Sequence, residues 1–307
     1  MSGLAEAVQP FPQPFVPVAY EPPEAVAPHR GPDRTIYPDI MYGHVEGFRP
    51  LRLDLYVPDA ERAVPVVLYI HGGAWLGGSR KPLHHDFVDF PTIWHQLNRA
   101  GMAVASVSYR LASEAPFPTC LHDVKAAVRW LRAHGGQLGL DPGRIGAFGD
   151  SAGAHLALLA AQRTPAELEG HVGVTGVPSD LAAVAAWYPP TDLSLFRRPP
   201  DLDPQSAAAL PETRLLGGRV EELPDLARAA SPVTWVHPDS PPVLLVHGTA
   251  DSLVSIEHSE TMAAAYAAAG AFAELQVVSR ADHCFLGIDI EPIAERTVTF
   301  LRRHLQA

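Results

Sequence analysis

A serine held between two glycines at a strand-to-helix junction constrains this chain more than any other feature. Gly149-Asp150-Ser151-Ala152-Gly153 follows Arg144-Ile145-Gly146-Ala147-Phe148, a short apolar run that reads as a buried strand. It precedes residues 154–161, a stretch of helix formers with no breaker. In that setting G-x-S-x-G is a nucleophile elbow. The turn brings strand and helix so close that side chains at 149 and 153 would meet neighbouring backbone, which explains both glycines. Ser151 is pushed into a strained backbone conformation that exposes its hydroxyl. The pentapeptide alone recurs by chance, so the reading rests on its surroundings.

A serine hydroxyl is a poor nucleophile at neutral pH and needs a base, which in turn needs an orienting acid. Chain order narrows the partners to an acid and then a histidine, both after the serine. Val243-Leu244-Leu245-Val246-His247 reads as a strand and runs into Gly248-Thr249-Ala250-Asp251. An acid just past a strand's C-terminal end sits on the rim where such sheets place their sites. After the next strand comes Ser279-Arg280-Ala281-Asp282-His283-Cys284, which brings His283 to the same rim. Taken singly, Asp251 reads as a turn or capping residue and His283 as a surface histidine. Together, in the right order and at the right strand ends, they complete a triad with Ser151. Asp282, adjacent to the histidine, is poorly placed to reach around to its ring.

His71-Gly72-Gly73-Ala74-Trp75 directly follows the unbroken apolar strand 64–70. The backbone N–H groups of Gly72 and Gly73, with that of Ala152, are the donors expected to face a developing oxyanion.

The remainder of the chain supplies the framework for these parts. Residues 1–35 are proline-rich without helical or strand period, and read as an arm lying on the domain. A sharper alternative has Phe11, Phe15 and Tyr20 covering the mouth of the site. From 36 to 307 strands and helices alternate after an antiparallel-looking start, which predicts an α/β fold with a mostly parallel sheet covered on both faces. Strands are expected at 36–45, 51–57, 64–70, 102–109, 144–148, 181–188, 243–247 and 274–279. Helices are expected at 89–100, 118–134, 154–161, 255–269 and 292–305. Residues 194–232 break the rhythm with one short helical piece and read as a small cap insertion over the site. Trp75, Trp187 and Tyr188 lie at strand ends and are candidates for lining a substrate pocket, with core packing as the alternative.

The combination resembles the α/β-hydrolases of the esterase and lipase kind that carry an HGG oxyanion motif, both hormone-sensitive-lipase-like and feruloyl-esterase-like. Besides the stretches above, the resemblance rests on Ser108-Tyr109-Arg110-Leu111, Pro116-Phe117-Pro118, Leu140-Asp141-Pro142, Tyr188-Pro189-Pro190-Thr191-Asp192 and Ser231-Pro232-Val233. It covers residues 36–305. Ala154 and Cys284 depart from it, each standing where a glycine is common. It implies a serine carboxylesterase that acts on a small-molecule ester, short-chain or aryl, through an acyl-enzyme and without a cofactor. Arylformamidases share the HGG-x-W motif and form the rival within the class. Hydrolase-like receptors that bind ligands without catalysis form the rival outside it, but they lack the histidine.

Composition excludes other classes. With 23 basic and 34 acidic residues the formal charge is −11, which disfavours nucleic acid and anionic membrane surfaces as partners. Two cysteines, Cys120 and Cys284, are too few for a disulfide framework and suit a reducing compartment. No segment reaches the roughly 18 apolar residues of a membrane span. Residues 1–18 lack the regions of a secretory signal, so a cytoplasmic location is expected. His84-His85-Asp86 hints at a metal, yet adjacent histidines point apart and no second cluster completes a site, so no metal is expected. A homodimer is left open.

Overall fold

Apolar runs in this chain become the middle of one sheet, and the polar ends of those runs become its rim. The computed structural model describes residues 20–23, 26–81, 90–196 and 201–306. The first half contains β1 (His29–Arg30), β2 (Arg34–Gly43), β3 (Leu51–Pro58), β4 (Val64–Ile70), α1 (Phe90–Arg99), β5 (Ala103–Val107), α2 (Thr119–His134), β6 (Leu140–Asp150) and α3 (Ala152–Ala160). The second half contains β7 (Val184–Trp187), α4 (Pro204–Ala209), α5 (Pro211–Leu216), α6 (Pro224–Ala230), β8 (Val243–Gly248), α7 (Glu257–Ala269), β9 (Ala273–Val278) and α8 (Glu291–Leu305).

The strands form one sheet in the order β1-β2-β3-β5-β4-β6-β7-β8-β9. β1, β2 and β3 pair antiparallel, as do β3 and β5, and every pairing from β5 to β9 is parallel. This is the mostly parallel sheet expected from the alternation, in the α/β-hydrolase architecture that the resemblance implies. Every residue of β4 is buried, as its continuous apolar run requires of a strand covered on both faces. One face carries Val66, Leu68 and Ile70 against α2, α3 and α7, the other Val67, Phe148 and Trp187 against α1 and α8. Because β5 and β6 lie on opposite sides of β4, the order reverses there, and the crevice at such a reversal is where open α/β sheets place ligands.

Two expectations change. The sheet begins before residue 36: His29 and Arg30 pair with Ile36 and Thr35 across a turn that holds Pro32, where no backbone donor is needed. The insertion at 194–232 contains three short helices instead of one. Each begins at a proline, Pro204, Pro211 or Pro224, a residue that breaks a helix interior but suits its first turn. Leu215, Leu216, Ala227 and Ala230 of this insertion are buried in the main core, and Phe117 N–H donates to the Leu215 carbonyl at 2.7 Å.

Candidate active site

The elbow takes the geometry its glycines imply. Ser151 has φ 50° and ψ −119°, a left-handed conformation costly for any residue but glycine. A Cβ at Gly153 would lie 2.0 Å from the Ile70 carbonyl oxygen, and one at Gly149 would lie 2.5 Å from the Gly153 carbonyl carbon. Ser151 N–H donates to Trp187 O at 2.9 Å, which anchors the strained residue to β7.

Three side chains from the C-terminal ends of β6, β8 and β9 converge. His283 Nε2 lies 3.1 Å from Ser151 Oγ, and His283 Nδ1 lies 2.8 Å from Asp251 Oδ2. The carboxylate can only accept, so Nδ1 carries the proton and the Nε2 lone pair faces the serine hydroxyl. Such a ring can take a proton from Ser151 and be stabilised as it becomes charged. Asp251 has no exposed side-chain surface, and its Oδ1 accepts from Leu253 N–H at 3.0 Å and Val254 N–H at 2.8 Å. Burial alone would raise its pKa, but hydrogen bonds from His247 and His283 outweigh that and hold it well below the usual carboxylate range. Asp282 Oδ1 instead accepts from Ser252 N–H, Ser252 Oγ–H and the backbone N–H of His283, so it ties the two rim loops together.

The loop after β4 departs from expectation at one residue. Gly72 N–H donates to Asp150 Oδ1 at 3.1 Å, so it is not open to a ligand. Gly73, at φ 113°, and Ala152 are the expected donors whose N–H groups meet no acceptor among the described residues. Asp150 also accepts from Tyr69 Oη–H at 2.9 Å, and burial pushes its carboxyl up to about 6. Tyr109 of the Ser-Tyr-Arg stretch supports the same loop: its hydroxyl donates to His71 O at 2.9 Å and its ring stacks on His71 at 4.4 Å. The next residue, Arg110, pairs with buried Asp123 at 2.6 Å and pins α2 beneath it.

The site opens into a cavity of about 690 Å³, walled by Trp75, Tyr188, Pro190, Phe196, Leu210 and Pro211. Ser79, Lys81, Glu212 and Ser252 add polar groups to its lining. Trp75 and Tyr188 thus stand where a pocket reading puts them. Trp187 does not. Its ring is buried beneath α8, where Nε1–H donates to Thr297 Oγ1 at 2.9 Å. Tyr20 is equally remote from the mouth, with its ring 5.1 Å from that of His134 at the end of α2. Phe11, Phe15 and His84-His85-Asp86 lie outside the described residues. Among the described residues no cluster of three or more His, Cys, Asp or Glu could hold a metal ion.

His155 escaped the sequence reading. Trp75 Nε1–H donates to its Nδ1 at 3.1 Å, and its Nε2–H donates to Ala230 O at 2.7 Å, so one neutral ring joins the β4 loop, α3 and the end of α6. Its position four residues after Ser151, one turn along α3, was the available signal.

Buried neutral histidines predict acid sensitivity. Burial holds His71, His155 and His258 down to about 4. His258 Nδ1 accepts from Thr191 N–H at 3.1 Å, so a proton there would break a native bond. Unfolded histidines titrate at about 6.5, so between that pH and about 4 the unfolded chain binds more protons and stability falls as pH falls. Asp150, raised to about 6, works in the opposite direction over part of the same window. A net uptake of about two protons gives a slope of about 3 kcal/mol per pH unit. Urea midpoints measured from pH 7 to 4.5 should drop steeply, and a flat series would contradict the neutral, buried histidines.

The BD-FAE family matches residues 53–266 of this chain. Esterase LipQ of Mycobacterium tuberculosis is 30% identical over 274 residues, 86% of this chain and 61% of that protein. A truncated form of a carbohydrate esterase from gut microbiota is similar in structure with TM-score 0.77 and 28% identity, over 91% of this chain and 99% of that one. A propionate-bound thermophilic esterase from Thermogutta terrifontis gives TM-score 0.68 and 26% identity, over 90% of this chain and 94% of that one. The chain spans about half to three-fifths of the length of the mycobacterial relatives it matches. No helix among the described residues is long and apolar enough to cross a membrane.

Proposed function

This chain belongs to the BD-FAE family of α/β-hydrolase esterases, and from that premise we propose that it hydrolyses small carboxylic esters through an acyl-enzyme. The observation that carries this reading is the line from Ser151 Oγ to His283 Nε2 at 3.1 Å and from His283 Nδ1 to Asp251 Oδ2 at 2.8 Å, at the floor of the cavity. In the first step Ser151 Oγ attacks the ester carbonyl carbon while His283 Nε2 takes the hydroxyl proton. The N–H groups of Gly73 and Ala152 receive the oxyanion, and Gly72 N–H, engaged by Asp150, keeps the loop in place. The imidazolium then protonates the departing alcohol. Water, deprotonated by the same ring, releases the acid and restores Ser151.

The insertion at 194–232 acts as a cap in this reading, with Phe196, Leu210 and Pro211 closing the apolar side of the cavity. Trp75 and Tyr188 take up space beside Ser151, and a bound propionate in the Thermogutta relative fits an acyl site of that size. Short acyl or aryl esters are therefore the substrate class. A reducing cytoplasm is the setting that two free cysteines favour.

A series of para-nitrophenyl esters tests the substrate class. Each methylene that fits contributes about 0.8 kcal/mol, so kcat/KM should rise over the first few carbons and fall once the cavity is full. A series still climbing from C12 to C16, with activation at an oil–water interface, would identify a lipase instead. N-formylkynurenine in the same assay should be turned over more slowly than the best ester, and the reverse order would favour an arylformamidase.

A further inference from the structure

Asp251 Oδ2 faces two imidazoles, and only one of them belongs to the triad. The second is His247 at the end of β8, whose Nε2 lies 3.3 Å from Asp251 Oδ2 and 2.8 Å from Val254 O. Both of those oxygens only accept, so Nε2 carries a proton. The other ring nitrogen, Nδ1, lies 2.7 Å from Ser259 Oγ on α7, and in the neutral ring it accepts the Ser259 hydroxyl proton. His247 and Ser259 are both fully buried, so every polar atom of this unit is satisfied without water. Asp251 thus has three donors of its own, Leu253 and Val254 N–H on Oδ1 and His283 N–H on Oδ2, and shares a fourth N–H, that of His247, with Val254 O.

We propose that His247 is a positioning residue of the hydrolytic site, holding Asp251 Oδ2 in place for His283 and sharing the negative charge of that oxygen. The inference rests on the assignment of Ser151, His283 and Asp251 to ester hydrolysis. Two consequences follow. A carboxylate that loses the shared N–H of His247 is freer to rotate, so His283 is aimed less well and kcat falls while KM holds. The charge that His247 no longer shares falls on the His283 Nδ1–H, which stabilises the imidazolium and makes the base harder to deprotonate. The acidic limb of kcat/KM therefore moves to higher pH. The other titratable groups that feel this carboxylate are His258, next to Ser259 on α7, Asp282, which is engaged with Ser252, and Tyr188 and Cys284. None of them hydrogen-bonds to Asp251 or His247, and all four are retained in the variants.

The test compares His247→Leu with His247→Gln, using para-nitrophenyl acetate from pH 5 to 9 and melting temperatures in parallel. Leucine fills the space without a donor, whereas the glutamine amide reaches the position of Nε2 and restores one. His247→Leu should lose about 10- to 100-fold in kcat, the range seen when the outer partner of an imidazole is removed at metal sites. Its acidic limb should move up by about half a pH unit, with KM within about twofold of wild type. His247→Gln should recover most of the rate and the original limb. If His247→Leu does not fold, His247→Asn takes its place, because its shorter amide falls short of Oδ2; it should show the same shift and loss. A folded Leu or Asn variant with an unmoved limb and full kcat overturns the proposal. Equal losses in the Gln and Leu variants, tracking melting temperature, overturn it as well, since they mark a merely structural role. Ser151→Ala run alongside separates the two levels: if it is dead while the His247 variants behave as wild type, only His247 is misassigned.

Discussion

Ser151→Ala is expected to lose about 10⁶-fold in kcat with its fold intact. The substitution removes one oxygen and leaves the backbone contacts of the elbow, including Ser151 N–H to Trp187 O at 2.9 Å. Alanine at φ 50° is strained much as serine is, so the melting temperature should barely change. What disappears is the only hydroxyl within hydrogen-bond reach of His283 Nε2 among the described residues. The Gly73 and Ala152 N–H groups and the cavity persist, so a small residual rate above the uncatalysed one, about 10³-fold, should survive. The triad acts as a unit, so adding His283→Ala to Ser151→Ala should cost little more than either alone. Burst kinetics with a para-nitrophenyl ester supply an independent reading, because an acyl-enzyme needs Ser151 Oγ. A purified, folded Ser151→Ala within tenfold of wild type would remove this residue from the mechanism.

The residues proposed to carry the chemistry could be read from the chain because each is tied to a strand end. Ser151, Asp251 and His283 follow β6, β8 and β9, and Gly73 follows β4, so a correct list of strands places all four on one rim. Elements with a strong period came through for the same reason: β4 is apolar throughout, and α2 has Leu121, Val124, Val128 and Leu131 at helical spacing. What was not visible depends on contacts between distant residues. Gly72 and Gly73 look alike in sequence, and only the position of Asp150, 78 residues later, decides which N–H is engaged. Trp187 and Tyr188 are neighbours that both pack on Phe285, but Trp187 ends β7 with its ring under α8, whereas Tyr188, just past the strand at φ 40°, sets its ring against His283, 4.6 Å between centroids. The early part of β6, before residue 144, was not expected: it holds Asp141-Pro142-Gly143, residues that weaken a strand pattern, and Leu140 pairs with Val64 before an irregularity in register. Cys284 has φ 61°, which gives a backbone reason for the glycine common at its place in similar sequences.

Asp251→Asn should lower kcat roughly 10⁴-fold, while Asp282→Asn should cost less than about tenfold. The two acids sit at one rim, 31 positions apart in sequence, and differ in what their oxygens hold. Asp251 accepts from two backbone N–H groups on Oδ1 and from the His283 N–H on Oδ2, and Oδ2 also shares the His247 N–H with Val254 O. An asparagine keeps one oxygen. If that oxygen stays with Leu253 and Val254, the new amide N–H₂ faces His283 and His247, where it meets two further donors. His283 can relieve this clash only by moving its proton to Nε2, and in that tautomer it cannot accept from Ser151. If the amide turns over, the clash falls on the backbone N–H groups and the loop after β8 must shift. Either way the base is disabled, and KM need not change. Asp282 uses a single oxygen, Oδ1, for Ser252 and for its neighbour's N–H, and an asparagine oxygen can serve those donors. The charge lost there is exposed and contributes little to the ring. Steady-state kinetics of both variants, with circular dichroism to establish folding, decide the matter: if Asp282→Asn is the more severe, the acid of this site has been assigned to the wrong residue.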